Sequence, residues 1–222
     1  NRKAHVIRAK EALAWTAAWI TLALAFGAWL WVYAGPQSGI EYLTGYLAEK
    51  VLSMDNIFVM VMIFGFFGVP QLDQHRVLFW GILGALVLRG AFIGAGALVL
   101  ERWHWVLYVF GVLLVITGLG AAFGKDEVPD RDKNPVVRVG RRLLRVAEGC
   151  SGHHFVVREG GRLHATPLLV VLVTIEATDV IFAMDSIPAV FAITQDPFLV
   201  YTSNIFAILG LRSMYFVLAD FV

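Results

Sequence analysis

The sequence predicts an all-α polytopic membrane protein, a helical bundle of about six spans. Hydrophobic residues make up 59% of its 222 residues and charged residues only 16%, whereas soluble domains average roughly 45–50% apolar and about 25% charged residues. Apolar windows of about 20 residues, the length that an α-helix needs to cross a bilayer core, recur along the chain. A soluble chain of this length could not enclose so many helices that are apolar on every side.

Six membrane spans are predicted, separated by short connections and one long loop. Each apolar window is too long and too continuous for a strand of a membrane β-barrel, which alternates over about ten residues. The spans lie at residues 12–34, 42–67, 77–99, 104–123, 166–193 and 198–220, and the loop at 124–165. We expect residues 1–222 to form a single transmembrane domain within a longer chain, because the sequence begins without Met and ends after an apolar span.

The distribution of basic residues predicts the orientation, because Lys and Arg in short flanking segments stay on the cytoplasmic side. The amino-terminal segment, the turn after the second span and residues 125–162 carry fourteen Lys and Arg, whereas the opposite side carries only Arg102. The amino terminus and the loop at 124–165 are therefore predicted to be cytoplasmic.

The long loop shows little sign of a binding function. Its basic residues are interleaved with six acidic ones, so it lacks a nucleic-acid-binding stripe and we expect no nucleic-acid partner. FVVREGGRLHAT, residues 155–166, predicts a hairpin around Gly160 and Gly161, and residues 134–148 predict a basic amphipathic helix on the membrane surface. The single Cys150 can form no disulfide within the chain, and the neighbouring His153 and His154 fit a solvated loop better than a metal site.

Carboxylates within two of the predicted spans are the most informative residues. A carboxylate at a helix centre costs roughly 2.5–3.5 kcal/mol unless it is paired or faces water. Five acidic residues and three basic ones lie at membrane depth: Glu49, Asp55, Glu176, Asp179 and Asp185, against Lys50, Arg89 and Arg212. The excess of two negative charges suits one divalent cation. Protonation of two carboxyls, or purely structural ion pairing, would also balance the charge.

The available ligand atoms indicate a hard cation. Glu176 and Asp179 are three residues apart and share a helix face, and Glu49 and Asn56, seven apart, nearly do. These carboxylates, the amide and a nearby serine hydroxyl form an all-oxygen set. Such a set favours Mn²⁺, Mg²⁺ or Ca²⁺ over Zn²⁺ or Cu⁺.

Pro188 predicts a helix break in the fifth span, near AMDSIPA. Proline removes a backbone donor and clashes with the carbonyl of Met184, four residues earlier. It also disfavours the helical conformation of the residue before it. Backbone carbonyls freed by such a break would line a cavity and add oxygen ligands.

An internal duplication is predicted from two matches at nearly one offset. LSMDNIFVM at 52–60 and EATDVIFAM at 176–184 share the frame D-x-I-F-[VA]-M, and LGALVLRGAF at 83–92 aligns with FAILGLRSMY at 206–215. Arg89 follows Asp55 by 34 residues, and Arg212 follows Asp179 by 33. The shared composition of apolar helices explains the matching Ile and Phe residues. It does not explain why an Asp and an Arg recur at nearly the same spacing in both copies. The matched spans are three apart and cross in opposite directions, which predicts an inverted-topology repeat with a site near the midplane.

Four stretches carry a resemblance to a known family: EKVLSMDNIFV, VLFWGILGALVLR, TPLLVVLVTIEATDVIFAMDSIPAVFAITQDPF and TSNIFAILGLRSMYF. They closely resemble the TerC family of bacterial membrane proteins, and most of all its Alx-like branch. The resemblance implies kinship with the lysine-exporter superfamily, a place in the bacterial inner membrane, further spans on both sides, and association with manganese efflux and tellurite or alkaline-stress phenotypes. The family's intramembrane polar positions fall on Glu49, Asp55, Asn56, Glu176, Asp179 and Asp185.

We therefore predict a plasma-membrane divalent cation transporter, with Mn²⁺ efflux as the leading hypothesis and those six residues as metal ligands. Mn²⁺ or another hard divalent cation would be the transported ion, and the lipid bilayer is the other expected partner; the sequence does not identify protein partners. Arg89 and Arg212 would balance the charge of the empty site. No chemistry for tellurite resistance is visible, because the carboxylate excess would repel an anion.

Two alternative functions come from other classes of protein. The first is a non-transporting membrane scaffold for metal delivery or stress resistance. The second is an intramembrane aspartyl protease, since paired Asp residues can activate water. The Gly-x-Gly-Asp pattern expected for that activity is absent, because Ala and Thr precede Asp179 and Ala and Met precede Asp185. We expect no enzymatic activity.

Overall fold

The computed structural model describes residues 9–123, 155–159 and 162–219. These residues form seven α-helices and one β-hairpin, in the order α1 (Ala9–Tyr33), α2 (Pro36–Phe67), α3 (Gln71–Arg102), α4 (Val106–Phe123), β1 (Val156–Glu159), β2 (Arg162–Ala165), α5 (Pro167–Ile193), α6 (Pro197–Leu209) and α7 (Leu211–Ala219). The predicted all-α polytopic membrane fold is confirmed.

Five segments are long and apolar enough to cross a membrane, judged by length and composition: α1, α2, α3, α5, and α6 with α7 taken together. Helix α4 occupies the fourth predicted span, but its apolar part, Val106–Gly120, is shorter than the others. Five of the six predicted spans thus have the expected length.

Glycine and proline set the tight connections between the long helices. Gly35 precedes α2 with φ of 100°, and Pro36 fills the first helical turn, where a missing N–H is harmless. Gly68 ends α2 in the left-handed region, with φ of 59°. A side chain at either glycine would be strained, so these residues permit the sharp reversals between neighbouring helices.

The predicted hairpin is confirmed. Strands β1 and β2 pair antiparallel, with Val156 opposite Ala165 and Glu159 opposite Arg162. The Gly160–Gly161 turn lies outside the described residues, as do Cys150, His153 and His154 and the predicted amphipathic helix at 134–148.

Helices α2 and α5 lie at the centre of the bundle and run antiparallel. Gly45 near the start of α2 lies beside Val190 near the end of α5, whereas Asn56 further along α2 contacts Asp179 earlier in α5. Helix α2 also packs against α1 and α6, and α5 against α4 and α3. These neighbours are those expected of an inverted-topology repeat, which itself stays a prediction.

The prediction of a helix break at Pro188 is wrong. Helix α5 runs without interruption from Pro167 to Ile193, with Pro188 buried inside it. Proline within a membrane helix is tolerated where neighbouring helices hold the segment in place. Val190 and Phe191 just beyond it are fully buried against the bundle, so packing outweighs the lost hydrogen bond.

The interrupted span is instead the last one, where Gly210 separates α6 from α7. The ammonium of Lys50 in α2 donates to the carbonyl of Ala207, over 3.4 Å, in the last turn of α6. A Cβ atom at Gly210 would lie 2.6 Å from the Lys50 Nζ atom. The glycine thus leaves room for a cation at the negative end of the α6 dipole, where a positive charge is stabilising.

Candidate functional site

The buried face of α2 presents a row of polar side chains. Glu49, Ser53 and Asn56 follow one another at spacings of four and three residues, so they lie on one helical face, and all three are buried. That face packs against α5. Polar side chains that are buried in a membrane bundle require partners or a ligand.

Arg89 of α3 joins this row to α5. Its side chain is only 2% exposed, and its Nε and Nη2 atoms donate to Oδ2 and Oδ1 of Asp179 at 3.1 and 2.9 Å. Its Nη1 atom donates to Oε2 of Glu49 at 2.9 Å and, at 3.4 Å, to the hydroxyl of Ser186. A single guanidinium therefore ties together three helices.

The electrostatic balance of this cluster is negative. One guanidinium faces two carboxylates, those of Glu49 and Asp179, and both ion pairs are almost fully buried. The forked geometry on Asp179 is the favourable one for a buried pair. Desolvation of the ions nevertheless costs several kcal/mol each, roughly, so the pairs are weak evidence of a purely stabilising role.

Several oxygens of the cluster have unused acceptor capacity. Among the described residues, Oε1 of Glu49, Oδ1 of Asn56 and the Ser53 hydroxyl are buried without a hydrogen-bond partner. The amide nitrogen of Asn56 donates to Oδ1 of Asp179, over 3.5 Å. Buried acceptors left without donors are costly, and they identify a place where a cation or a polar ligand would be stabilised.

A small cavity adjoins the cluster between α2 and α5. Its volume is about 10 Å³. Three polar residues, Asn56, Thr178 and Asp179, line it, and the rest of its lining is Met60 and four other apolar residues. The Thr178 hydroxyl donates to the carbonyl of Thr174 at 2.7 Å, which leaves its oxygen free to accept. The space suits a single water-sized group.

Glu176 lies on the same helix, one turn before Asp179, and faces α3. Its carboxylate fills the space where a side chain at Gly84 would begin, and its Oε2 atom is another buried acceptor without a partner in the described part of the chain. Only glycine allows the carboxylate to approach the α3 backbone so closely.

The structure joins three of the six predicted ligands, Glu49, Asn56 and Asp179, directly or through Arg89. Glu176 lies one turn before Asp179 and faces α3. Asp55 and Asp185 are exposed on the bundle surface and, among the described residues, form no hydrogen bond or ion pair. Of the two predicted charge-balancing residues, Arg89 lies at the centre of the cluster. Arg212 belongs to α7, but its side chain lies outside what the structure describes.

In this conformation the predicted ligands do not form a closed metal site. Within residues 9–123, 155–159 and 162–219, no three His, Cys, Asp or Glu side chains converge in an arrangement that could hold a metal ion. The guanidinium of Arg89 occupies the position between Glu49 and Asp179. A cation would reach both carboxylates only if this side chain moved.

Three residues of the site were missed by the sequence interpretation. Gly84 carried no visible signal, because its role depends on the register between α3 and α5. Thr178 carried a weak one, as a hydroxyl beside Asp179. Met60 carried the clearest signal, since it is the last residue of the repeated frame D-x-I-F-[VA]-M.

Comparison with known proteins gives consistent matches. The model of the integral membrane protein TerC family matches residues 34–222. An uncharacterized membrane protein of Myxococcus xanthus is 54% identical over all of this chain and 70% of its own length. Alx of Escherichia coli (strain K12), whose name provisionally assigns it the role of a membrane-bound redox modulator, is 48% identical over 99% of this chain and 71% of its own. No solved structure matches significantly.

Proposed function

Because the chain belongs to the TerC family of integral membrane proteins, we propose that it is a divalent cation transporter of the bacterial inner membrane, with Mn²⁺ efflux as its leading activity. The observation that carries this proposal is the buried, negatively charged cluster with unpartnered acceptor oxygens between α2, α3 and α5. A cluster built only for stability would be expected to satisfy those oxygens.

The proposed ligands are the carboxylates of Glu49 and Asp179 and the amide oxygen of Asn56, with Glu176 adding negative charge one turn away. Oxygen ligands of this kind suit Mn²⁺, Mg²⁺ and Ca²⁺. With Arg89 in place, the four charged residues sum to two negative charges, which one divalent cation would neutralise. Asp55 and Asp185 are left out of this ligand set, because they lie on the exposed surface.

Arg89 acts in this proposal as a tethered substitute for the cation. When the site is empty, the guanidinium neutralises Glu49 and Asp179 and holds α2, α3 and α5 together. An entering ion would claim the same carboxylates and release the guanidinium. Without such a substitute, two uncompensated carboxylates at membrane depth would each cost roughly 2.5–3.5 kcal/mol or more.

Alternating access would follow from the antiparallel halves of the bundle. Asn56 of the first repeated frame meets Asp179 of the second across α2 and α5, so movement of one half against the other would open or close the cavity on either side. This is the arrangement in which inverted repeats hold a midplane site. Proton return onto vacated carboxylates would provide a driving force.

A scaffold that delivers metal to partner proteins is the second candidate. It is favoured by the small size of the cavity, which adjoins the cluster but has room for only about one water. It is also compatible with the name of the Alx relative, which describes a modulator rather than a transporter.

Metal flux separates the two candidates. The full-length protein, reconstituted alone in liposomes that contain a Mn²⁺-sensitive dye, should conduct Mn²⁺ faster than empty liposomes, and the Asp179→Asn variant should not. Binding of Mn²⁺ without flux in the wild type would favour the scaffold. Absence of both binding and flux would exclude manganese as the substrate.

A further inference from the structure

The repeated frame D-x-I-F-[VA]-M ends in a methionine that the proposed site does not use. The two copies place Met60 five residues after Asp55 and Met184 five residues after Asp179. Apolar packing alone explains a large side chain at these positions. It does not specify sulfur, since leucine has a similar volume.

Met60 lines the same cavity as Asn56 and Asp179. The methionine of the first frame and the aspartate of the second therefore border one cavity at the interface of α2 and α5. Met60 is partly buried against the core, whereas Met62, two residues along the same helix, is 60% exposed. Position in the helix therefore distinguishes Met60 from its neighbour.

The corresponding methionine and aspartate of the other pairing, Met184 and Asp55, both lie on the exposed surface. Met184 is 62% exposed, and Asp55, the aspartate expected to face it, is exposed as well. Of the two pairings of aspartate and methionine, that of Asp179 with Met60 borders the cavity between α2 and α5. Met184 lies on the exposed surface instead.

We propose that Met60 is a specificity-determining residue, whose thioether sulfur favours Mn²⁺ over Mg²⁺ and Ca²⁺ at the Asp179 site. Sulfur is a soft, polarizable donor that transition metals accept, whereas Mg²⁺ and Ca²⁺ are held by oxygen. The flexible methionine side chain can present its sulfur without strain. This inference rests on the proposed transport function and replaces an all-oxygen ligand set with one that contains a single sulfur.

The same chemistry makes a second expectation. A softer divalent ion such as Cd²⁺ should bind the site more tightly than Mn²⁺, because it gains more from sulfur. An all-oxygen site would give a smaller preference for Cd²⁺, because Mn²⁺ is a weak binder at oxygen sites as well. A loss of Cd²⁺ preference in Met60→Leu is therefore the signature of sulfur, which a structural role for Met60 would not produce.

The test compares Met60→Leu, Met60→Cys and the control Met62→Leu in the full-length protein. Leucine keeps the volume and removes the sulfur, cysteine keeps a sulfur, and Met62→Leu makes the same change on the exposed face of α2. Dissociation constants of Mn²⁺, Cd²⁺, Mg²⁺ and Ca²⁺ are measured for the purified proteins, and Mn²⁺ flux in liposomes. Thermal unfolding of each variant checks that it is folded.

We expect Met60→Leu to lower the preference for Mn²⁺ over Ca²⁺ by about tenfold. The preference for Cd²⁺ over Ca²⁺ should fall by more. Met60→Cys should keep most of both preferences, and Met62→Leu all of them. A folded Met60→Leu variant with unchanged preferences would overturn the role of Met60 and leave the proposed function intact. A wild-type protein that binds no Mn²⁺ would overturn the proposed function, and this inference with it.

Discussion

The guanidinium of Arg89 donates two hydrogen bonds, 3.1 and 2.9 Å long, to the carboxylate of Asp179, although the two residues lie 90 positions apart in the chain. The same guanidinium reaches Glu49 on a third helix. A buried cation that neutralises two carboxylates is both a structural link and a competitor for any metal that uses those carboxylates.

Removal of the guanidinium should destabilise the bundle. In Arg89→Met, the carboxylates of Glu49 and Asp179 would remain buried without a cation, at a cost of about 3–5 kcal/mol. The free energy of unfolding in detergent micelles measures this loss. Arg102→Met, an exposed position at the end of the same helix, is the control and should change it by less than about 0.5 kcal/mol. Equal effects at the two positions would refute the central role of Arg89.

Mn²⁺ should partly rescue that same variant. If the ion and the guanidinium compete for Glu49 and Asp179, then Mn²⁺ should raise the melting temperature of Arg89→Met more than that of the wild type, because no displacement is needed. Ca²⁺ and Mg²⁺ provide the comparison ions. A Mn²⁺-induced shift that is smaller in the variant than in the wild type would show that Arg89 supports metal binding instead of competing with it.

The close approach of Glu176 to α3 predicts a position-specific effect of alanine. A Cβ atom at Gly84 would overlap the Glu176 carboxylate, whereas one at Gly94 in the same helix would have no neighbour within 4 Å. Gly84→Ala should therefore destabilise the protein by about 1–3 kcal/mol, while Gly94→Ala should be neutral or stabilise it by about 0.4–1 kcal/mol.

A double-mutant cycle tests the cause of that effect. If the overlap with Glu176 is responsible, Gly84→Ala should cost little in a Glu176→Ala background. A cost that persists without the Glu176 side chain would point to the α3 backbone itself.

Lys50 and Gly210 should be coupled in the same way. Gly210 has helical angles, with φ of −77° and ψ of −15°, so alanine is compatible with the backbone. The Cβ atom of alanine would overlap only the Lys50 ammonium. We expect Gly210→Ala to destabilise the wild type by about 1 kcal/mol. In a Lys50→Ala background the same change should be neutral or stabilising. The difference between the two unfolding free energies is the measurement, and additive effects would disprove the contact.

Much of this molecule follows from local properties of the chain. Span length and apolar content predicted the helices, and the Gly160–Gly161 pair predicted the hairpin. Carboxylate depth and spacing predicted one site of six residues, and three of them, Glu49, Asn56 and Asp179, lie around Arg89. The spacing accounts for Glu49 and Asn56, because residues on one face of a helix stay together whatever the neighbours are.

Features that depend on the packing of one helix against another could not be predicted from the sequence. Pro188 predicted a break in α5, which burial of the helix prevents. Gly210 did not predict the interruption between α6 and α7. Asp55 matched Asp179 in the repeated frame yet faces outward, because the rotation of α2 about its own axis is set by its neighbours. The occupation of the site by Arg89 likewise required three helices in place.

The most direct test of the central claim, that a divalent cation binds at Asp179, is the Mn²⁺ dissociation constant of the full-length protein and two matched variants. Asp179→Asn and Asp55→Asn each remove one charge from corresponding positions of the repeated frame. We expect Asp179→Asn to weaken Mn²⁺ binding by about 100-fold and Asp55→Asn to change it far less. An unchanged dissociation constant in a folded Asp179→Asn variant would contradict the assignment of the site.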